Sequence, residues 1–172
     1  FSITLAYLIP FVAHANLVYT DQQKLRSIVK KISAKNIEKD ITKLVSFGTR
    51  HTLSETQSST RGIGAARRWI KAEFEAISAQ CNNCLEVYFQ KDTVSGEKRI
   101  PDPTEVMSVI AVLKGQTDPQ RYVIMSGDID SRVTDPMNAL SDSPGANDNA
   151  SGVAGVLEAA RVLSKYKFNG SI

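Results

Sequence analysis

Several residue patterns are scarce in this sequence of 172 residues, and each scarcity excludes a class of protein. It contains two cysteines and two histidines, and the single Cys-x-x-Cys pair has no second pair with which to complete a zinc knuckle. A net charge of +3, with both signs mixed along the chain, argues against a nucleic-acid partner. With 42% hydrophobic and 23% charged residues, the composition is that of a globular α/β protein and excludes a wholly disordered chain.

The N-terminus resembles the apolar part of a secretory signal peptide. Residues 1–13 are apolar apart from Ser2 and Thr4, and the run ends in the small residues of Ala13-His14-Ala15. The run is too short to span a membrane as a helix. A buried N-terminal helix or strand is the alternative, and Leu5 in place of an acidic residue disfavours a pilin-type assembly helix. We therefore predict a leader over residues 1–15, a globular portion over residues 16–172, and a secreted or periplasmic location.

The two cysteines, Cys81 and Cys84, lie in the segment AQCNNCLEV. A Cys-x-x-Cys pair is redox-active, half of a zinc knuckle, or a small-loop disulfide. No strand-then-helix context of the thioredoxin kind surrounds this pair. In an exported chain, the favoured interpretation is a structural disulfide that closes the turn before a strand.

Hydrophobic periodicity predicts helices that alternate with strands. Two long apolar runs, over residues 106–113 and 122–126, are typical of strands that are covered on both faces. The sequence therefore predicts an α/β fold with helices on both faces of a mixed, mostly parallel sheet. The predicted elements are two successive helical pieces within residues 21–47, a helix over residues 62–77, strands over residues 85–90, 106–113 and 122–126, and a last helix that follows a loop over residues 128–149.

The loop after the strand at residues 122–126 carries the candidate site. Asp128 and Asp130 point to the same side if the extended conformation continues, and Asp148 precedes the last helix. Ligands in open α/β sheets bind beyond the carboxyl ends of the strands. Carboxylates that converge there repel one another unless a cation compensates them, which favours a metal site. In the alternative interpretation Asp148 and Asn149 cap the helix and Asp130 is a turn residue.

Beyond these patterns, the segments PGANDNASGVA and LEAARVL, with the Asp-Ser after the strand, resemble the co-catalytic di-zinc aminopeptidases. That group includes the bacterial leucyl aminopeptidases and the relatives of plasma glutamate carboxypeptidase. The segments SFGTRHT and RGIGAARRWIKAEF are similar to the N-terminal helical part of secreted members, so the resemblance extends over residues 25–172. It implies a zinc-exopeptidase-like fold, a peptide substrate, and hydrolysis of N-terminal residues by a pair of zinc ions.

The resemblance also implies roles for individual residues. Asp148 matches the carboxylate that bridges the two zinc ions, and Asp130 matches a catalytic-site residue that orients a zinc-binding histidine. That histidine belongs at position 128, where this sequence has Asp128. Asp128 is thus a candidate metal ligand that departs from the family pattern, because a carboxylate adds negative charge and also suits harder ions.

The remaining functional groups of the family are expected beyond Ile172. They include a general-base Glu on the strand after the last helix and further zinc ligands. His14 lies in the leader and His51 lies in a stretch that resembles a structural part of the family, so neither replaces them. We therefore expect a zinc aminopeptidase domain whose C-terminal part is missing and which is inactive alone. The alternative is a catalytically inactive peptidase-like module for binding or assembly, with self-association through an exposed sheet edge.

Overall fold

A computed structural model describes residues 22–172, so the predicted leader over residues 1–15 lies outside the described part of the protein. The chain divides into two units, Phe1–Ile32 and Ser33–Ile172. In the first unit, residues 22–29 form helix α1. Within residues 22–172, no helix combines the length and the apolar character needed to cross a membrane.

Two helices open the second unit. Helix α2 spans Ala34–Val45, and the hydroxyl of Ser33 caps it by accepting a hydrogen bond from the backbone N–H of Asn36. Helix α3 spans Gly62–Ala79. The apolar stripe predicted for α3 is buried as expected, because residues three and four apart share one helical face. Its buried apolar members are Ile63, Ala65, Ala66, Ile70, Phe74 and Ile77.

Within residues 22–172 the strands form two pairs. Strands β1 (Leu85–Val94) and β2 (Thr104–Leu113) are antiparallel, with Leu85 opposite Leu113. Strands β3 (Asp118–Tyr122) and β4 (Gly170–Ser171) are parallel. Helix α3 packs on β1 and β2, and helix α4 (Ser151–Leu163) packs against α2 and α3. The predicted mixed α/β fold class is confirmed.

The predicted strand over residues 122–126 is wrong in its bounds and in its burial. The strand begins at Asp118 and ends at Tyr122, and residues 123–126 continue without joining a ladder. Val123 is 57% exposed and Ile124 is 85% exposed. An apolar run predicts burial, but burial requires a neighbouring strand. Within residues 22–172 that neighbour reaches only as far as Val123, whose N–H donates to the carbonyl of Ser171 at 2.9 Å.

A cluster of charged side chains joins α4 to the two preceding helices. The guanidinium of Arg161 contacts the carboxylates of Asp40 at 2.5 Å and Glu73 at 3.0 Å. Glu158, one helical turn before Arg161, accepts a hydrogen bond from the backbone N–H of Ser33 at 2.7 Å. Because Asp40 and Glu158 are buried, these pairs hold α4 in one position relative to α2.

Candidate functional site

The segment that carries Asp128 lies directly against the start of α4. A Cβ atom added to Gly127 would lie 2.5 Å from backbone atoms of both Gly152 and Val153, in the first turn of that helix. Only glycine permits this approach, because any larger residue would collide with the helix backbone. The contact brings Asp128 and Asp148 to the same end of α4, since Asp148 precedes Gly152 by four residues.

The turn before α4 is irregular between Ala146 and Ala150. Gly145 adopts a left-handed conformation with φ of 49°, Asp148 and Asn149 have non-helical backbone angles, and the peptide bond between those two is cis. The first residue of α4 is preceded by Ala150, and no side chain caps the helix. The interpretation of Asp148 and Asn149 as helix caps is therefore wrong.

The buried guanidinium of Arg50 anchors both loops of the site, which are the segment that carries Asp128 and Asp130 and the turn before α4. Its Nε donates to the carbonyl of Ile129 at 2.9 Å, Nη1 donates to Pro144 at 2.8 Å, and Nη2 donates to Gly145 at 3.0 Å. Nη1 also donates to the carbonyl of Leu44 at 3.0 Å. Burial lowers the pKa of Arg50, and the nearby charge of Asp130 opposes that shift. Arg50 thus fixes the backbone between Asp128 and Asp130 and the backbone that leads to Asp148.

Hydroxyl groups add a second set of links between the same loops. The Ser131 hydroxyl accepts from the N–H of Arg50 at 3.0 Å and donates to the carbonyl of Ser143 at 2.6 Å. The Ser143 N–H donates to the carbonyl of Gly48 at 2.9 Å. Arg50 and Ser143 are not among the predicted site residues, and Ser131 enters the prediction only through the Asp-Ser after the strand. The resemblance of SFGTRHT and of that Asp-Ser to family segments is the sequence signal that marks this region.

His51 is held within the same network. It is 5% exposed, its Nε2 lies 2.9 Å from the carbonyl of Pro136, and its Nδ1 accepts the N–H of Leu53 at 3.0 Å. These contacts indicate a neutral ring that donates through Nε2. The structural role predicted for His51 is confirmed, since both ring nitrogens form hydrogen bonds with backbone groups of the protein.

Asp128 and Asp130 share a cavity of about 400 Å³. Both carboxylates belong to exposed residues, so they are accessible from solvent. Arg67 of α3 lines the same cavity, and its Nε is buried and has no hydrogen-bond partner within the described chain. Burial lowers the pKa of Arg67, while the charge of Glu105 opposes the shift. The cavity therefore combines two carboxylates with a donor that is free to bind an acceptor.

The donors in the described chain do not fit a complete zinc site. Zinc sites in proteins use three or four protein ligands, and residues 22–172 contain no group of three or more His, Cys, Asp or Glu side chains placed to hold a metal ion. Asp128 and Asp130 are together, whereas Asp148 is not among the residues that line their cavity. The ligand roles of Asp128 and Asp148 and the positioning role of Asp130 remain predictions.

The disulfide prediction is confirmed. Cys81 and Cys84 are bonded, with 5.4 Å between their Cα atoms. Asn82 and Asn83, between them, both adopt left-handed backbone conformations with positive φ. The bond closes the tight turn between α3 and β1.

Several proteins with similar sequences bear the name probable zinc metalloprotease. Residues 108–172 match Peptidase family M28. A "Probable zinc metalloprotease" of Pyrenophora teres f. teres (strain 0-1) is 51% identical over 149 residues, which cover 87% of this chain and 31% of that protein. One from Leptosphaeria maculans is 47% identical over 151 residues, covering 88% of this chain and 35% of that protein. The chain thus spans about a third of the length of these relatives.

Among solved structures, LapB from Legionella pneumophila has a similar fold. The TM-score is 0.61 at 23% sequence identity, and the match covers 87% of this chain and 36% of LapB. The predicted family resemblance is confirmed by the family match and the named relatives, and the fold by this comparison.

Proposed function

We propose that this chain, in which residues 108–172 carry the Peptidase family M28 match, is part of a secreted zinc exopeptidase that removes N-terminal residues from peptides. The observation that supports this most directly is the convergence of two loops at one end of α4. Asp128 and Asp130 open into a cavity there, and Asp148 lies on the turn before the helix. The names of the relatives favour zinc as the metal.

In this proposal the chain supplies some of the ligands and their support. Asp148 and Asp128 would each supply a carboxylate ligand to zinc, which would activate a water molecule for hydrolysis. Asp130 lies beside the buried guanidinium of Arg50, which compensates its charge. The described donors are too few for a complete zinc site, so the further ligands would come from outside residues 22–172.

A second candidate is a catalytically inactive module that binds or assembles with other chains. The exposed apolar residues over 122–125 favour it, since large exposed apolar patches mark interaction surfaces. Asp128 at a position where the family has histidine also favours it.

Zinc content and peptidase activity separate the two candidates. The protein expressed from its full-length gene is expected to bind about two zinc ions per chain and to hydrolyse an aminoacyl-p-nitroanilide. Asp148→Asn is expected to abolish both. Asp142→Asn is the matched control, because Asp142 lies in the same loop but is exposed and paired with Arg61. Metal-free, inactive protein that forms oligomers contradicts the peptidase proposal.

The ligand position of Asp128 has its own test. Asp128→His restores the neutral imidazole that suits zinc, so the variant is expected to bind zinc more tightly than the parent protein. Unchanged zinc affinity contradicts a ligand position at residue 128.

A further inference from the structure

Two short segments of the sequence fit the acceptor pattern for N-linked glycosylation, Asn149-Ala150-Ser151 and Asn169-Gly170-Ser171. The pattern is only three residues long, so it does not tell which asparagine carries a glycan. An N-linked glycan is bulky and needs an asparagine side chain at the surface of the folded protein. The surroundings of the two side chains differ in this respect.

The side chain of Asn149 is packed inside the turn before α4. Its Oδ1 is buried, and a Cβ atom added to Gly152 would collide with that oxygen. The amide therefore lies against the first turn of α4. A glycan on this amide would force the side chain out of its position and disturb the turn that carries Asp148.

Asn169 lies in the loop that joins α4 to β4, and it is exposed. Its backbone is held in place, because its carbonyl accepts hydrogen bonds from the N–H of Asp118 at 2.9 Å and from the N–H of Thr117 at 3.3 Å. Within residues 22–172, its side-chain amide makes no hydrogen bond. Asn169 therefore combines a fixed backbone with an amide that is accessible from solvent.

The surroundings of Asn169 are also far from the candidate site. Asp128 and Asp148 lie at the N-terminal end of α4, whereas Asn169 follows its C-terminal end. A helix of 13 residues is about 20 Å long, so the two ends are well separated. A glycan on Asn169 would therefore leave the cavity beside Asp128 open.

We propose that Asn169 carries an N-linked glycan and that Asn149 does not. In the transfer, Nδ2 of Asn169 forms a bond to the anomeric carbon of an oligosaccharide that is linked to a lipid diphosphate. The bond from that carbon to the diphosphate oxygen breaks, the lipid diphosphate leaves, and the amide loses one proton to solvent. The inference rests on the proposed secretion of the protein and is independent of its peptidase activity.

The hydroxyl of Ser171 gives the order of events. It completes the acceptor pattern, yet in the folded protein Ser171 is buried. Its hydroxyl accepts from the N–H of Gly115 at 3.0 Å and donates to the carbonyl of Pro119 at 2.8 Å. The glycan is therefore added before β4 docks, and Ser171 then takes up its structural role.

The test maps glycans on the protein expressed from its full-length gene in a glycosylating host, behind a signal peptide of that host. Peptide N-glycosidase in isotope-labelled water converts each glycan-bearing asparagine to labelled aspartate, which mass spectrometry locates. The label is expected at Asn169 and not at Asn149. Asn169→Asp, which keeps the size but lacks the amide nitrogen, is expected to lose this glycopeptide and to keep the urea midpoint of the deglycosylated parent protein. Ser171→Thr keeps the acceptor pattern and is expected to retain the glycan.

Two results would overturn the proposal. One is an unlabelled Asn169, and the other is a labelled Asn149 in the secreted protein. Because the glycan is added before folding is complete, Asn169 is also mapped in denatured total protein, so a variant that fails to fold still gives a result. The foreign signal peptide imposes entry into the secretory pathway, and neither zinc nor substrate is needed. Failure here is therefore distinguishable from failure of the peptidase proposal.

Discussion

The guanidinium of Arg50 donates a hydrogen bond to the backbone carbonyl of Ile129 at 2.9 Å, and so holds the residue that separates Asp128 from Asp130. The same group donates to the carbonyl of Gly145, at the start of the turn that carries Asp148. One buried side chain therefore sets the spacing of the two loops at the candidate site.

Replacing Arg50 tests this anchor. A lysine has one ammonium group and cannot satisfy four carbonyl groups in the planar arrangement of the guanidinium. Arg50→Lys is expected to lower the free energy of unfolding by about 2–4 kcal/mol, because buried carbonyls lose charged hydrogen bonds. Urea denaturation measures the change. Arg132→Lys, at an exposed site in the same loop, is the control and is expected to stay within about 0.5 kcal/mol. Equal effects of the two substitutions contradict the anchoring role.

Because Gly127 lies so close to the backbone of α4, we expect that no side chain is tolerated at this position. Gly127→Ala places a Cβ atom 2.5 Å from the helix backbone, and the strain is expected to cost about 1–3 kcal/mol of unfolding free energy. Gly155→Ala on the same helix is the matched control, since a Cβ atom there meets nothing within 4 Å. It is expected to stabilise the protein by up to about 1 kcal/mol, because alanine favours the helix over glycine. Destabilisation by both would contradict a specific contact at Gly127.

The lowered pKa of Glu55 leads us to expect that its carboxylate contributes to the acid sensitivity of the protein. Hydrogen bonds from the backbone N–H groups of Gln57 and then Ser58 lower its pKa below the usual 4.5. A carboxyl group with a lowered folded-state pKa stabilises the protein above pH 4.5, and this contribution is lost as the pH falls through the folded-state pKa. Glu55→Gln is therefore expected to lose less stability than the parent protein between about pH 6 and about pH 3, measured by urea denaturation. Parallel pH profiles of the two proteins would show that the carboxylate makes no such contribution.

We expect reduction of the Cys81–Cys84 disulfide to lower the stability of the protein only modestly. Cys81 and Cys84 are three positions apart, and closing so short a loop is expected to contribute only ~2 kcal/mol. Reduction should lower the unfolding free energy by that amount and leave the fold intact. The double variant Cys81→Ala, Cys84→Ala is expected to match the reduced protein and to show no response to the reducing agent. Complete unfolding on reduction would contradict this estimate.

The helices and the disulfide were predictable because they depend on local patterns. The apolar spacing along α3 is independent of what covers it, and a Cys-x-x-Cys turn closes over three positions. The strand at residues 122–126 was not predicted correctly, because an apolar run does not reveal whether a neighbouring strand is present to pair with it. The roles of Arg50 and Ser131 were also inaccessible, since their partners lie about eighty residues away.

The sequence by itself determined the family resemblance, the helical segments and the three candidate carboxylates, because each is carried by a short run of residues. The tertiary structure alone decided which of those carboxylates share a cavity and which group anchors their loops. It also decided that residues 123–126 extend beyond the strand that ends at Tyr122. These features depend on contacts between segments distant in the chain, and such contacts are set by packing around α4.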